Sequence, residues 1–303
     1  MMSSYNGLDL MKRNDPNLAL EQGAPWHSTA GAIPLAGLFP ESDYRFQMRF
    51  ERGRVADFFR NGGGAKTLLA ERRHWLQEAP QLYAGLLPEG IALLEEFSEL
   101  VRSPEIGVET PPFDAADAWR SCLALGCAAE TDFLLLRPDE TGDIRLWCGC
   151  VCFPSSWSLA EKMGKPVDFI HSVVPGLNEQ IGGPIAGFLR RIPPGISWLR
   201  ANWGLSRTAE LNLHPERKMP RLDASVSLNE VWLRVEYQSL VALPRTGGIL
   251  FGIRLGVHPL ADVKRDASAA NGLRRALESM PEEMAVYKGI ASARKTILGL
   301  LAG

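Results

Sequence analysis

An α+β fold organised around an antiparallel sheet follows from three features of the 303-residue sequence. Apolar residues recur at helical spacing before residue 130, while strand-like segments joined by short Pro- and Gly-containing turns occupy residues 132–257. Between the second and third of these strands lies an insertion of helical character. That order of elements belongs to an α+β domain and not to alternating βαβ units.

Residues 1–40 are rich in Gly, Pro, Ser and Asn without a sustained period, which predicts an arm. Residues 41–130 read as a helical N-terminal section. Helices are expected from Tyr44 to about Arg60 and from Lys66 to Val101, where Leu68, Leu69, Trp75, Leu76, Leu82, Leu86, Leu87, Ile91 and Leu94 recur at three and four. The stretch Pro104 to Pro112 breaks the pattern, and a short helix resumes over Asp114–Ala124. Residues 131–263 form the sheet domain. Its five expected strands are Phe133–Arg137, Ile144–Phe153, Ile196–Leu205, Val231–Leu243 and Gly248–Val257, with turns at Pro138-Asp-Glu-Thr-Gly142 and Pro244-Arg-Thr-Gly247. Residues 157–191 are helical but carry Pro166, Pro175 and Pro184, so several short helices are expected there. Residues 264–303 form a helical tail.

Thirty-three basic against thirty-five acidic side chains leave a formal charge of −2, which supplies no field for capturing a polyanion and argues against a nucleic-acid partner. Apolar runs such as Gly247-Gly-Ile-Leu-Phe-Gly-Ile253 fall well short of the roughly 20 residues of a membrane span, and no secretory signal is evident, so a cytoplasmic protein is expected. Five cysteines do not suggest a disulfide framework. Cys148, Cys150 and Cys152 lack a second pair at metal spacing and read as small buried hydrophobes. Gly62-Gly-Gly64 lacks the leading glycine and the strand of a phosphate loop, and reads as a turn before a helix.

Among the histidines, His27 lies in the arm, His74 on a charged helix face, and His214 and His258 precede prolines in apparent turns, all four reading as surface residues. His171 ends a short helix among apolar side chains. It is either a packed, hydrogen-bonded core histidine or an axial ligand in a haem pocket. Strand alternation in Trp232-Leu-Arg-Val-Glu-Tyr-Gln238 puts Arg234, Glu236 and Gln238 on one face and Leu233, Val235 and Tyr237 on the other. The polar row either meets water or, with Arg254 of the next strand across from it, lines a polar pocket whose carboxylate partners an amine or takes a proton.

Several ordered motifs carry a resemblance. Val151-Cys-Phe-Pro-Ser-Ser-Trp-Ser-Leu-Ala-Glu-Lys-Met-Gly-Lys-Pro166, Ile170-His-Ser-Val-Val-Pro-Gly176, Arg200-Ala-Asn-Trp203, Leu233-Arg-Val-Glu-Tyr-Gln-Ser-Leu240, Leu243-Pro-Arg-Thr-Gly247 and Phe251-Gly-Ile-Arg254 resemble the haem-dependent oxidative N-demethylase family. The likeness runs from about Phe39 to Leu260 and includes Glu41-Ser-Asp-Tyr44. It implies a PAS-like five-stranded sheet that binds haem b and activates O2 to demethylate a small secondary amine such as dimethylamine. Electrons would come from NADPH through a separate flavin and iron–sulfur reductase, with folate taking the one-carbon product and an oligomer possible. By the resemblance His171 is the axial ligand, Asn202, Trp203 and Arg254 bind the cofactor, and Arg234, Glu236 and Gln238 are catalytic. The chain departs from the family pattern at Tyr237, where Arg is usual, and at Leu255-Gly256, where Thr-Tyr is usual. A haem sensor without turnover on the same scaffold is the alternative.

Overall fold

A computed structural model describes residues 35–39 and 42–302. The arm expected over residues 1–40 therefore lies mostly outside the described residues. Seven strands form one antiparallel sheet, namely β1 (Glu51–Gly53), β2 (Ala84–Leu86), β3 (Asp132–Pro138), β4 (Ile144–Cys150), β5 (Ser197–Ser206), β6 (Trp232–Leu243) and β7 (Gly248–Pro259). Their order is β1-β5-β6-β7-β3-β4-β2. All five expected strands are present and contiguous. The two additional strands sit at the edges, where three-residue segments pair with β5 and β4.

Both edge strands correct the expected helical section. Residues 45–50 are not helical and lead into β1, so only α1 (Val55–Phe59) remains of the helix expected from Tyr44 to Arg60. The expected Lys66–Val101 helix is broken into α2 (Ala65–Glu78), α3 (Pro80–Tyr83), β2 and α4 (Ile91–Arg102). Pro80 and Pro88 are the physical cause, since neither can donate the backbone bond of a continuing helix. Further along come α5 (Ala118–Ala128), α6 (Val167–His171), α7 (Gly183–Leu189), α8 (Leu260–Arg265), α9 (Ala267–Ser279), α10 (Glu282–Tyr287) and α11 (Arg294–Ala302). Asp117 caps α5 through the Arg120 amide, and Asp266 caps α9 through the Ser268 and Ala269 amides. None of the described helices is long and apolar enough to cross a membrane.

The sheet is covered on both faces. Leu233, Val235 and Tyr237 of β6, Leu250 of β7 and Phe133 and Leu135 of β3 enter the principal core. There they meet α4 through Leu93, Leu94, Phe97 and Val101, and the tail through Leu273, Leu277 and Ile297. On the opposite face Leu134, Leu136, Leu240 and Ile249 pack under the insertion, against Trp157, Met163, Ile170 and Phe188. A third cluster, Met280, Met284 and Ala285, gathers Tyr44, Phe46, Val174 and Trp203, and so ties α10 to the insertion beside β5.

Turn chemistry fixes the two hairpins. In the β3–β4 turn Asp139 accepts from the amides of Thr141 and Asp143 and from the Thr141 hydroxyl, and Gly142 adopts φ +89°. The β6–β7 turn is held from outside, because the buried Glu96 carboxylate of α4 accepts from the amides of Arg245 and Thr246 and from the Thr246 hydroxyl. Thus α4 sets the register of the two longest strands.

Cys148 and Cys150 lie in the principal core beside Cys122, as buried free thiols. Next to them Arg72 of α2, fully buried, forms an ion pair with Asp132 and donates from Nε to the Gly126 carbonyl at 2.7 Å. Asp132 also accepts from the amides of Cys152 (2.8 Å) and Phe153 (3.1 Å), tying α2 to the start of β3 and the exit of β4. Removing one partner of such a pair strands the other charge in the core. Asp132→Ala is expected to lower the unfolding free energy by about 3–5 kcal/mol, read as a shift of the urea midpoint at unchanged slope.

Candidate functional site

Pairing register decides which side chains meet. Opposite residues in an antiparallel pair point to the same face. Arg200, Asn202 and Gly204 of β5 stand opposite Gln238, Glu236 and Arg234 of β6, so the polar row expected on β6 continues across β5. Its alternation is as expected from the sequence. On β7 the residues opposite Arg234, Glu236 and Gln238 are Val257, Leu255 and Ile253. That side of the polar row is therefore aliphatic.

Arg254, expected across from the row, and Trp203, a cofactor-binding residue by the resemblance, both lie on the other face. Arg254 pairs with Tyr237 and so projects from the other face. There it forms an ion pair with Glu130 at 2.9 Å and donates to the Phe58 carbonyl at 2.7 Å. The expectation that Arg254 lies across from Glu236 fails because the two positions differ by one residue of register. Trp203 pairs with Val235 and likewise leaves the polar face, meeting Phe39 edge to face at 5.3 Å between centroids. Tyr237 also points into the core, so the departure at that position does not alter the polar face. Leu255 does.

Within the row, Gln238 donates from Nε2 to Glu236 Oε2 at 2.9 Å, leaving Oε1 of the carboxylate uncommitted to it. Arg234 is only 3% exposed and donates to the Glu210 and Leu211 carbonyls at 2.6 and 2.8 Å. Burial pushes its guanidinium down to about 10, with Glu236 pulling the other way. Arg200 is half-buried and forms no hydrogen bond or ion pair among the described residues; burial lowers its pKa while Glu236 opposes the shift. Sequence reasoning left it out as a site residue, although it stands two positions before Asn202 and thus shares its face.

A second residue absent from the sequence reading comes from the tail. Lys288, which follows α10, donates from Nζ to the Trp203 carbonyl at 2.7 Å and lies 5.2 Å from the centroid of the Trp203 ring. Burial lowers its pKa to about 8, against the pull of Glu236, and the Arg200 charge adds to the lowering. Nearby, burial raises Tyr287 and, to about 12, Tyr44. No local motif announces Lys288, because only tertiary packing brings it to β5.

His171 ends α6 in the insertion covering this face. It borders a cavity of about 320 Å³ whose other walls include Ile144, Val167, Asn178, Ile185 and Leu189. Burial first, then the charges of Arg200 and Lys162, push its pKa down to about 4, while Asp168 opposes them. The imidazole is therefore neutral at pH 7, and no hydrogen bond engages its ring among the described residues. Two histidines read as surface residues are instead buried: His258 lies within β7, and His214 accepts from the Glu216 amide beside the Tyr83 ring.

These residues fit a haem. A neutral imidazole with a free ring nitrogen is what an axial ligand offers. No group of three or more His, Cys, Asp or Glu among the described residues is placed to hold a bare metal ion. Between insertion and sheet, Ile170, Val174, Phe188 and Trp198 are apolar and only half-buried. These four supply apolar surface against which a macrocycle could pack.

Because the folded-state pKa of His171 lies below its unfolded value of 6.5, the unfolded chain binds more protons between these values. Its contribution to stability is complete above pH 6.5 and is lost as pH falls towards 4. Urea unfolding of the haem-free protein across that range is expected to show a shallower decline for His171→Gln than for wild type.

Residues 80–298, well over half of the sequence, match the model of the family described as haem-dependent oxidative N-demethylase, alpha subunit-like. The match spans the sheet from β2 onwards, the insertion with His171, the polar row and Lys288, and the chain belongs to the haem-dependent oxidative N-demethylase, alpha subunit-like family.

Proposed function

We propose that this chain is the oxygen-activating haem subunit of an oxidative N-demethylase acting on a small secondary amine, with residues 131–263 as a PAS-like haem-binding core. The observation that carries the reading is the placement of a neutral, half-buried His171 on an insertion packed over a sheet face that bears Glu236. Five contiguous long strands with the helical insertion after the second support the PAS-like description.

His171 is the residue that would hold haem b through its imidazole, with Ile170, Phe188 and Trp198 forming the apolar walls. When bound, haem supplies the activation of O2. Overall, one N-methylamine and one O2, with two electrons and two protons, give the demethylated amine, one formaldehyde and one water, so two electrons must come from outside the chain. A separate reductase, drawing on NADPH through flavin and an iron–sulfur centre, fits that need, and the alpha-subunit description of the family fits a multi-subunit enzyme.

The chain's own residues supply orientation. Gln238 fixes one oxygen of Glu236 and leaves Oε1 to accept an N–H from the amine. Asn202, directly opposite Glu236, offers a second polar contact on the same face. Arg234 acts as a positioning residue, since its guanidinium is committed to the Glu210 and Leu211 carbonyls. Arg254 and Trp203 support β5 and β7 from the core side and influence the cofactor only through the sheet.

His171→Ala is expected to abolish haem retention, read as loss of the Soret band at wild-type helicity. An unchanged spectrum overturns the ligand assignment. Glu236→Gln is expected to keep haem and to weaken amine binding by about 1.5–3 kcal/mol, slowing amine-dependent O2 consumption and formaldehyde release. Binding of O2 or CO with no amine-dependent turnover in the reduced wild-type protein would make it a sensor.

A further inference from the structure

The sheet face under the insertion changes character from one row of side chains to the next. In the register of β5, β6 and β7, Trp198, Leu240 and Phe251 stand side by side, and they share one apolar cluster with Ile170 and Phe188 of the insertion. The next row on that face is Arg200, Gln238 and Ile253, and the one after it is Asn202, Glu236 and Leu255. Successive rows lie about 7 Å apart. Along β5 and β6, Arg200 is therefore the first charge beyond the apolar row, and Glu236 is the second.

That first charge is uncompensated. Arg200 is half-buried and makes no hydrogen bond, ion pair or ring contact among the described residues. Other cations of this region are engaged: Arg234 donates to the Glu210 and Leu211 carbonyls and Lys288 to that of Trp203, while Lys162, Lys165 and Arg52 lie over the rings of Trp157, Phe169 and Trp198. Gln238, opposite Arg200, turns its amide to Glu236. Two residues before Arg200 on the same face, the buried Trp198 Nε1 also lacks an acceptor among the described residues. A half-buried guanidinium at the margin of an apolar wall is costly without a counter-charge, so the arrangement calls for an anion from outside the chain. The Arg200 charge is also felt at His171, whose pKa it helps to lower.

A ligand for this margin must be apolar where it meets Trp198, Leu240 and Phe251 and anionic at one edge. Haem has that form, an apolar macrocycle with two propionates on the same edge. We propose that Arg200 binds a haem propionate through the fork of its guanidinium, with the body of the macrocycle towards the apolar row. The inference rests on the haem reading and deepens it, by naming the residue that sets the cofactor's orientation on the sheet. His171 would hold the iron from the insertion, and Arg200 the carboxylate edge from the opposite wall. One row further on, Glu236 repels a carboxylate, so Arg200 also marks how far that edge can reach.

The test is titration of the haem-free full chain with haem and with haem dimethyl ester, whose propionates carry no charge, read at the Soret band. Wild type is expected to bind haem more tightly than the diester by about tenfold or more, the loss of one charge-assisted hydrogen bond. Arg200→Gln is expected to erase most of that preference by weakening haem while leaving the diester at its wild-type affinity. Arg200→Lys, which keeps the charge but not the fork, is expected to restore part of it, and Arg52→Gln, at the sheet edge beside Trp198, to leave it unchanged. Equal affinities of wild type for the two compounds overturn the proposal, whether or not Arg200→Gln folds. So does an Arg200→Gln protein that keeps the wild-type preference or loses both compounds equally, and so does loss of the preference in Arg52→Gln alone. A failure of the haem reading itself shows differently, as no Soret band with either compound in wild type, and overturns both.

Discussion

Two-residue alternation along paired strands is the constraint on which the site depends. In β5 and β6 alternate side chains face the principal core, and the residues between them face whatever covers the other side of the sheet. Leu233, Val235 and Tyr237 anchor β6 in that core, so Arg234, Glu236 and Gln238 have no choice of direction. The same rule puts Arg254 and Trp203 on the opposite face of the sheet from Glu236, although each is adjacent in sequence to a residue on the polar face. A slip of one residue would exchange the polar row for Leu233, Val235 and Tyr237. Glu96, gripping the β6–β7 turn from α4, opposes that slip at its origin.

The site joins regions that serve different purposes. The sheet supplies fixed polar groups, because its opposite face is closed by α4, α5 and the tail. The insertion supplies His171 and an apolar roof, and its prolines keep it in short pieces instead of a single rod. Few of its side chains are fully buried, in contrast to the dense packing beneath the sheet. Burial is the largest cause that lowers the pKa of its histidine to about 4, and the neighbouring cations act in the same direction. Fold and cofactor chemistry are thus linked through solvation.

Much of this was legible in the sequence. The five long strands announce themselves through turn residues and alternation, and the faces of β6 follow directly. Less legible were the edges: β1 and β2 are three residues each, too short for a period, and exist because β5 and β4 offer them partners. The broken helix between Lys66 and Val101 was readable from Pro80 and Pro88, but apolar spacing outweighed them. His214 and His258 were misplaced because a following proline suggests a turn, whereas Pro259 merely ends β7. Motif resemblance drew attention to Arg254 and Trp203 without revealing their direction. Arg200 was recoverable from its parity with Asn202, but Lys288 was not, since nothing in its neighbourhood records a partner some eighty residues earlier.

That separation along the chain has a consequence during synthesis. Ribosomes add about 5–20 residues per second, so Lys288 is joined roughly 6–25 s after His171. For the last part of that interval, about 3–10 s, the nascent chain carries both its candidate iron ligand and Glu236 but not the lysine. The candidate iron ligand and the lysine beside β5 therefore enter the chain at separate times, in an order set by the genetic message.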